Sequence, residues 1–538
     1  MTDIEIPLAK DRKGHYRRLE RLPATLSYTM LAMPFILSLI NVTLAAFCIF
    51  LYMLIYVTRG LAVASRGMQA FRTMGNYRKL DWKQLLQEVD DGDIDPRRKV
   101  PAWHAKIVQR LSETPSTLMP KDIVHAIIIA TVKESREVLE PTIQSVLANE
   151  FNMQQVILVF AYEGRAGQET EDRVNDLIKE YGPQFGHAMA VKHPANLPGE
   201  VIGKGGNVTY AARELKKYLK KAKIDPSKVV VTTLDSDNRP DKQYLPALSY
   251  IYAAAPKPHR ISVQPVTMYT NNIWDAPAPM RVIATGNSFY NIVLSLRPHL
   301  LRNFSAHAQS MQSLIETDYW STRTVVEDGH QYWRSFFRYD GDYRVLPLYI
   351  PIYQDAVLAE GYRRTLKAQF VQLRRWTYGA SDIAYVISKG YFKPNKVPRR
   401  LLLGRTLRLI EGHVSWAVAP FLVLFAGWVP ALFYHQGPAG YAAYTLPVIL
   451  SNIQRFAMVG AFMLVFSALK TLPPRPARYK RHRTLFMVLQ WVYLPVTTFI
   501  YNCLAALNSQ TRLFFGLYLD KFDVTEKAVV DSSGKARS

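Results

Sequence analysis

The chain of 538 residues has room for a large catalytic domain and further segments, and its 67 Lys and Arg against 43 Asp and Glu give a formal net charge of +24. Such a charge suits a nucleic acid, a membrane surface or an anionic substrate; long apolar stretches favour the membrane and argue against a nucleic acid. The two cysteines, Cys48 and Cys503, lie in apolar stretches, which argues against a disulfide framework or a thiolate metal site.

The N-terminal part of the chain combines a basic tail, an apolar stretch and a connector. Residues 1–30 are basic, and the apolar residues 31–58 exceed the ~20 residues that a helix needs to cross the hydrocarbon core of a membrane. Residues 59–121 are first basic and then mixed in charge, with prolines and tryptophans. We therefore predict one transmembrane helix, 31–58, before the central domain.

Residues 122–388 alternate between apolar, β-branched runs and helical patterns. Predicted strands include His125–Thr131, Val156–Phe160, His187–Lys192 and the run that begins at Val229. Helical spacing of apolar residues separates these runs. The alternation predicts an α/β domain with a mainly parallel sheet and helices on both faces.

Two carboxylates follow the apolar run that begins at Val229. Asp235 and Asp237 stand at its carboxyl end, where open α/β sheets have their ligand crevice. A carboxylate pair can hold a hard divalent cation, and such a cation can neutralise nucleotide phosphates. An Asp-rich turn with a helix N-cap has the same composition, so this motif alone leaves both interpretations open.

Two further motifs follow in a set order. E-D-G at 327–329 opens a predicted helix, and Q-L-R-R-W at 372–376 lies in a long amphipathic helix. D-x-D, then E-D about ninety residues on, then Q-x-x-R-W about forty-five later, all before membrane segments, is rarely accidental. Over roughly residues 122–390 the chain resembles the processive, membrane-embedded family 2 glycosyltransferases and is similar to cellulose, chitin and hyaluronan synthases.

The resemblance implies a GT-A-like fold and a role for each carboxylate. Asp235 would face the nucleotide and the metal, and Asp237 would bind Mg²⁺ or Mn²⁺ directly. Asp328, with Glu327 beside it, would be the general base, because a sugar hydroxyl is a poor nucleophile until a carboxylate takes its proton. Attack opposite the leaving group would convert an α-linked donor into a β-linked product.

The resemblance also implies residues that bind donor and acceptor. Gln372, Arg375 and Trp376 correspond to the acceptor- and diphosphate-binding signature; a guanidinium offers a forked donor to phosphate, and an indole offers a flat face to a sugar ring. Lys204 opens a helix within a Gly-rich loop and would contact the diphosphate or the nucleobase. A solvated lysine in a turn is the alternative for Lys204.

The sequence departs from the family pattern after the second predicted strand. The turn there lacks the Asp that the family usually places against uridine, and Glu163 is a candidate replacement. The identity of the donor's base therefore stays open. We expect His193 and His330 to be ordinary polar residues with no role in metal binding or proton transfer.

The remainder of the chain is apolar and basic. Residues 389–408 carry many cations and two prolines, which predicts a segment at the membrane interface. Arg455 lies in an apolar stretch, where a charge needs a partner or water. Either it lies near the membrane boundary, where it snorkels or pairs with Glu411, or it lines a polar path for a sugar chain together with Asn452 and Gln454. Three apolar stretches and a tail complete the predicted domains: 409–434, 444–469, 485–507 and 508–538.

Charge asymmetry predicts the orientation in the membrane. Basic loops flank the later apolar stretches except at 435–443, which has no Lys or Arg, so the catalytic domain is expected in the cytosol and the C-terminus outside. A single crossing at 31–58 would then place the basic N-terminus outside, against the same rule. A hairpin within 22–58 would resolve this conflict, but about 36 residues are short for two crossings.

The expected function is inverting, metal-dependent transfer of sugars from a nucleotide-sugar, in particular a UDP-sugar, to a growing β-linked polysaccharide that crosses the inner (plasma) membrane. The partners would be the donor, the polysaccharide acceptor and the lipid bilayer. One alternative is a non-processive transferase that adds a single sugar to a lipid acceptor. Another class, a transporter or scaffold with a degenerate transferase domain, would be favoured by loss of an acidic motif, and no acidic motif is lost.

Overall fold

A mixed sheet of eight strands organises the centre of the chain in the computed structural model, which describes residues 4–114, 118–433, 440–521, 525–530 and 536–537. The strands are β1 (Val124–Thr131), β2 (Val156–Glu163), β3 (His187–His193), β4 (Val229–Asp235), β5 (Arg239–Pro240), β6 (Ile261–Tyr269), β7 (His307–Ser310) and β8 (Arg344–Gln354). Their order across the sheet is β3-β2-β1-β4-β7-β6-β8-β5. Strands β1 to β4, β6 and β8 run in one direction, whereas β7 and β5 are antiparallel to their neighbours.

Helices precede, cover and follow the sheet. Before it come α1 (Gly14–Ile40), α2 (Val42–Tyr77), α3 (Trp82–Asp91) and α4 (Ala102–Glu113). Within the sheet domain lie α5 (Arg136–Leu147), α6 (Gln168–Tyr181), α7 (Lys204–Lys221), α8 (Tyr244–Ala254), α9 (Ala278–Ser295), α10 (Met311–Glu316), α11 (Glu327–Arg338), α12 (Tyr362–Thr377) and α13 (Asp382–Tyr391). After it come α14 (Arg399–Phe425), α15 (Val429–Phe433), α16 (Gly440–Thr471), α17 (His482–Leu489), α18 (Leu494–Thr497), a π-helical segment (Thr498–Leu504) and α19 (Ala505–Phe515); β9 (Val529–Val530) and β10 (Ala536–Arg537) form a short ladder at the end.

The central strands are buried on both faces, which explains their uninterrupted apolar sequence. Ile127 and Ile129 of β1 pack with Leu139 of α5, whereas Ile128 packs on the opposite face with Val208 of α7. Each such side chain contributes about 1.5–3 kcal/mol by leaving water. The expected α/β sheet with helices on both faces is confirmed.

All six co-directional strands end at one edge of the sheet. The register places Ala130 of β1 opposite Asp235, and β6 and β8 end alongside each other at Tyr269 and Gln354. Open α/β sheets place their ligand crevice at this edge.

Four helical segments among the described residues are long and apolar enough to cross a membrane: Gly14–Ile40, Val42–Tyr77, Arg399–Phe433 and His482–Phe515. The predicted stretch 31–58 is divided between the first two, which meet at Asn41. The Asn41 side chain accepts a hydrogen bond from the Leu44 amide (2.9 Å) and caps α2. The two helices extend beyond the apolar stretch at both of its ends. The length of the apolar stretch therefore underestimates the length of the helices.

The N-terminal residues contact the catalytic domain, whereas the single crossing expected at 31–58 would separate them from it. Glu5 forms an ion pair with Arg334 of α11 (3.2 Å), and the Tyr385 hydroxyl donates to the Ile4 carbonyl (2.6 Å). At the other end of the α1–α2 pair, Tyr77 lies 4.9 Å from Tyr349 of β8, ring centre to ring centre. The two helices thus form a hairpin with both ends at the catalytic domain, which places both basic flanks on one side.

The C-terminal tail also returns to the catalytic domain, contrary to its predicted place outside. The Ala528 amide donates to the Leu358 carbonyl (2.9 Å), and Lys527 reaches the carboxyl edge of the sheet. Residues 525–528 therefore lie on the same side as the sheet.

The ion pair considered for Arg455 is made by another residue. Glu411 of α14 binds Arg59 of α2 (2.7 Å), and Arg455 instead donates to the Asn452 side chain (3.1 Å). Pairing of Arg455 with Glu411 is thus excluded in this conformation.

Candidate active site

Asp235 and Lys204 form an ion pair at the carboxyl edge of the sheet. Lys204 begins α7, and its Nζ lies 2.6 Å from Asp235 Oδ1. Burial alone would raise the pKa of Asp235, but the ammonium groups of Lys204 and Lys527 outweigh it and hold that pKa well below its usual range. Asp235 is therefore ionised, and α7 is tied to the end of β4.

A glycine permits this arrangement. A Cβ on Gly205 would lie 2.4 Å from the Ser321 carbonyl oxygen and 3.1 Å from Cβ of Glu327. Only a residue without a side chain lets the first turn of α7 approach the start of α11 so closely.

Ser305 links the two acidic motifs. Its hydroxyl donates to Asp235 Oδ2 (2.9 Å), and its backbone amide donates to Asp328 Oδ2 (2.6 Å). Asp328 Oδ1 accepts from the Gly329 amide (2.7 Å), so both of its oxygens are oriented. The motifs at 235 and 328 thus share one site.

Glu327 and Asp328 differ in their hydrogen bonding. Burial raises the pKa of Asp328, although Lys204 and the two backbone amides oppose the rise. Burial and the Asp328 charge raise the pKa of Glu327 to about 8, and its Oε2 has no hydrogen-bond partner among the described residues. The raised pKa of Glu327 favours its protonated form at neutral pH, which reduces the charge repulsion between Glu327 and Asp328.

Asp237 faces a second carboxylate and a lysine. Its Oδ2 accepts from the Asp355 amide (3.1 Å), and its Oδ1 lies 2.8 Å from Nζ of Lys527, which also donates to Ser236 (2.7 Å). Burial and the Asp237 charge raise the pKa of Asp355 well above its usual range. The ammonium of Lys527 thus provides the positive charge at Asp237.

The donors at Asp237 fit a hard divalent cation. Oδ1 of Asp355 is buried with no hydrogen-bond partner in the described part of the chain, so it is an unsatisfied oxygen beside Asp237. Across the described ranges, no group of three or more His, Cys, Asp or Glu side chains could hold a metal ion. Mg²⁺ is commonly bound by one or two carboxylates together with substrate phosphates, and two carboxylates suffice for that mode.

Tyr269, at the end of β6, connects helix α12 with the carboxylates of the site. The Trp376 ring lies 5.9 Å from the Tyr269 ring, centre to centre. Burial raises the pKa of Tyr269, and the charges of Asp235, Asp237 and Asp328 add to the increase. The charge of Arg375 lowers this pKa, so Arg375 acts on the same tyrosine as the three carboxylates. Gln372 donates to the hydroxyl of Thr525 in the C-terminal tail (3.5 Å).

Glu163 and His193 lie together in a buried ionic group. His193 Nδ1 lies 3.3 Å from Glu163 and Nε2 lies 3.0 Å from Glu200. Burial lowers the pKa of His193, but the two carboxylates outweigh it and raise that pKa to about 9. Glu163 is therefore committed to an ion pair, which weakens its candidacy as a nucleobase contact.

His330 is buried and bonded to Asp382 (2.7 Å), which ties α11 to α13. This contact fixes the helix that begins with Glu327.

Sequence analysis missed three residues of the site: Ser305, Asp355 and Lys527. None of them belongs to a recognisable motif, and Lys527 was placed in a tail expected outside the membrane. The remaining predicted residues, Lys204, Asp235, Asp237, Glu327 and Asp328, are brought together, and Gln372, Arg375 and Trp376 line α12 beside them.

No protein-family model matches the sequence, and no curated protein matches it. Among solved structures, the chain is similar to a mannosyltransferase from Pyrobaculum calidifontis in complex with GDP-Man and Mn²⁺, with 14% identity and a TM-score of 0.39 over 76% of this chain and 98% of that chain. It is also similar to GalNAc-T7 with UDP, GalNAc and Mn²⁺ (11% identity, TM-score 0.33, 54% of this chain and 58% of that chain).

A third solved structure is Staphylococcus aureus TarS in complex with UDP-GlcNAc, with 12% identity and a TM-score of 0.34 over 66% of this chain and 93% of that chain. At these identities and TM-scores the similarity carries no conclusion about the chemistry of this chain.

Proposed function

We propose that the chain is a membrane-embedded polysaccharide synthase that transfers sugars from a nucleotide-sugar, in particular a UDP-sugar, to a growing β-linked chain with inversion. The observation that carries the proposal is the Asp328 carboxylate, oriented by two backbone amides and joined through Ser305 to the Asp235–Lys204 pair. A fixed base next to an ionised, lysine-paired carboxylate is what sugar transfer from a nucleoside diphosphate requires.

Asp328 would act as the proton acceptor. As the acceptor hydroxyl oxygen forms a bond to the anomeric carbon, its proton moves to an Asp328 oxygen, and the bond between that carbon and the diphosphate oxygen breaks. Ser305 and Gly329 hold both Asp328 oxygens by their amides, so the carboxylate needs no reorientation during the step. Attack from the face opposite the leaving group inverts the anomeric centre.

Charges around the carboxylates would receive the diphosphate. Lys204 and Lys527 carry ammonium groups at Asp235 and Asp237, and Arg375 adds a guanidinium on α12. Asp237 and Asp355 would hold Mg²⁺ or Mn²⁺, which when bound neutralises the departing phosphates. Such fixed charges stabilise the transition state without reorganisation.

Support for a polymeric acceptor comes from the position of α12. Trp376 offers a flat face to a sugar ring, and the next residue, Thr377, bonds to Ser509 of α19 (2.8 Å). The acceptor side of the site therefore borders a helical segment long enough to cross a membrane. Transfer of one sugar to a lipid acceptor is the second candidate, because a helical segment that crosses the membrane could also present a lipid headgroup to the site.

The proposed location is the inner (plasma) membrane with the catalytic domain in the cytosol, where nucleotide-sugars are made. Basic residues lie at the catalytic ends of α2 and α14, which supports this orientation.

The decisive experiment is incubation of the purified protein with separate UDP- and GDP-sugars, with nucleotide release and product size as readouts. The proposal expects one UDP-sugar to give release of UDP and a polymer whose length does not fall when enzyme is diluted. A product with one added sugar in a lipid extract would support the second candidate. Absence of release with every donor, from protein that binds UDP and Mn²⁺, would contradict both.

Ionisation of Glu327 is expected to limit the reaction at alkaline pH. With a pKa of about 8, Glu327 loses its proton as pH rises through that value and adds a negative charge beside Asp328 and the donor phosphates. Wild-type turnover should therefore fall above about pH 8, and Glu327→Gln should remove that fall. UDP release measured across this range tests the prediction, with Glu316→Gln as the control; an unchanged alkaline limb in Glu327→Gln would contradict it.

A further inference from the structure

Four arginines converge where the catalytic domain meets α2 and α14. Arg405 of α14 donates to the His299 carbonyl, in the loop between α9 and β7 that also holds Arg302. Burial lowers the pKa of His299, and the charges of Arg408, Arg405, Arg302 and Arg66 add to the decrease, so all four charges act on this residue. Arg66, Arg302, Arg405 and Arg408 are called the arginine cluster below.

The cluster contains like charges without a counter-charge. Throughout the described ranges, none of its four guanidinium groups forms an ion pair with a carboxylate. Asp382, the carboxylate whose charge acts on Arg302, is bonded to His330 (2.7 Å). Glu411, three residues after Arg408 in the sequence, binds Arg59 (2.7 Å). An external anion would relieve this repulsion.

Arg302 is the most constrained member. Its guanidinium lies 4.0 Å from the ring centre of Tyr332 and 5.1 Å from that of Trp333, and Nη1 donates to the Leu301 carbonyl (2.8 Å). Burial lowers the pKa of Arg302 to about 10; Tyr332 opposes the decrease, and Arg405 and Arg408 add to it. Packing on two rings holds this cation in place despite its neighbours.

The cluster lies at the expected depth of lipid headgroups. From Gly412 in α14 to Phe433 at the end of α15 the chain carries no Lys, Arg, Asp or Glu. Arg405 and Arg408 stand within about 11 Å of the start of this stretch along α14. In α2, Val42 to Thr58 is likewise uncharged, and Arg66 follows it by about 12 Å. Anions at that depth are lipid phosphates, and arginine binds phosphate with paired donors.

We propose that the arginine cluster binds the phosphate group of an anionic phospholipid. The site is distinct from the nucleotide site, because among the described residues the cations paired with Asp235 and Asp237 are Lys204 and Lys527 and not members of the cluster. Arg302 stands three residues before Ser305, whose φ of +50° is strained for a residue with a side chain. Bound lipid would hold this loop, and with it the contacts of Ser305 to Asp235 and Asp328.

Lipid retention tests the site without reference to catalysis. Purified protein in nanodiscs of mixed phosphatidylcholine and phosphatidylglycerol is transferred to detergent, and the lipids that remain are quantified by native mass spectrometry. Wild type should retain phosphatidylglycerol, and Arg405→Gln/Arg408→Gln should retain at least about tenfold less, because each surface cation favours anionic lipid. The matched control is Lys480→Gln/Arg481→Gln, which removes two exposed cations from the loop before α17 and should retain the lipid.

Two further arms separate the possible outcomes. Inorganic phosphate should not displace phosphatidylglycerol; displacement would show a site for free phosphate and overturn the lipid assignment. Equal retention by wild type and the Arg405→Gln/Arg408→Gln variant would overturn the site itself, provided that both elute as folded protein and bind UDP.

The effect on the loop rests on the proposed function. Phosphatidylglycerol should increase UDP release by wild type and by the control variant and leave the cluster variant unchanged. If no variant releases UDP while lipid retention follows the expected pattern, the proposed function fails and the lipid site stands. Stimulation of the cluster variant to the same extent as wild type would overturn the coupling to Ser305.

Discussion

Asp328→Asn is expected to lower the rate of sugar transfer by about 10²–10⁴-fold while leaving donor binding close to that of wild type. An amide of the same shape cannot take the proton of the acceptor hydroxyl. It can still accept a hydrogen bond from the Ser305 or the Gly329 amide, so the start of α11 should keep its position. UDP release gives the turnover, and calorimetric titration with the UDP-sugar gives the dissociation constant.

The matched control is Asp318→Asn, which removes a carboxylate that binds Arg213 on the surface (3.2 Å) and should leave turnover unchanged. Near-normal turnover of Asp328→Asn would show that another group takes the proton. Loss of donor binding together with turnover would instead indicate that Asp328 organises the nucleotide site through Ser305.

The strands of the first half of the sheet could be predicted because the sequence encodes them locally. Strands β1, β2 and β4 are buried on both faces, so their apolar runs stand out from the rest of the chain. Strand β7 could not be found in this way, because it consists of His307, Ala308, Gln309 and Ser310. Its buried polar side chains form hydrogen bonds with residues outside the strand; the Trp320 ring nitrogen, for example, donates to His307 (3.1 Å).

The hairpin of α1 and α2 was missed for a different reason. Apolarity marks only the residues that face lipid, and both helices continue into polar sequence that packs on the catalytic domain. Tyr77 of α2, for example, lies 4.9 Å from Tyr349 of β8, ring centre to ring centre. A count restricted to residues 22–58 therefore found too little chain for two crossings.

The residues of the candidate site also fall into a predictable group and a group that the sequence does not reveal. The motif residues were predictable because each motif places several chemically specific groups within a few positions. Ser305, Asp355 and Lys527 are isolated residues outside any motif, and they reach Asp235 or Asp237 across sequence separations of 70, 118 and 290 residues. Only the fold brings such single residues to the edge of the sheet.

The metal-binding role of Asp237 gives the second large expected effect. Loss of a residue that merely supports a metal ligand weakens metal binding by about 10- to 100-fold. Asp237→Asn should weaken Mn²⁺ binding at least as much, because it removes a charged ligand. Asp355→Asn should weaken it as well, since the unsatisfied Asp355 Oδ1 lies beside Asp237. The fraction of free Mn²⁺, measured by electron paramagnetic resonance with and without UDP, reports binding independently of turnover.

Asp241→Asn is the control for this series, because Asp241 is a nearby carboxylate that binds Arg78 instead (3.4 Å). It should bind Mn²⁺ as wild type does. If Asp355→Asn also matched wild type while Asp237→Asn did not, Asp237 would hold the ion without Asp355, and the phosphates and water would supply the remaining oxygens. If both variants matched wild type, the cation would have to bind elsewhere, and Lys527 would be the natural counter-ion of Asp237 rather than an occupant of a metal site.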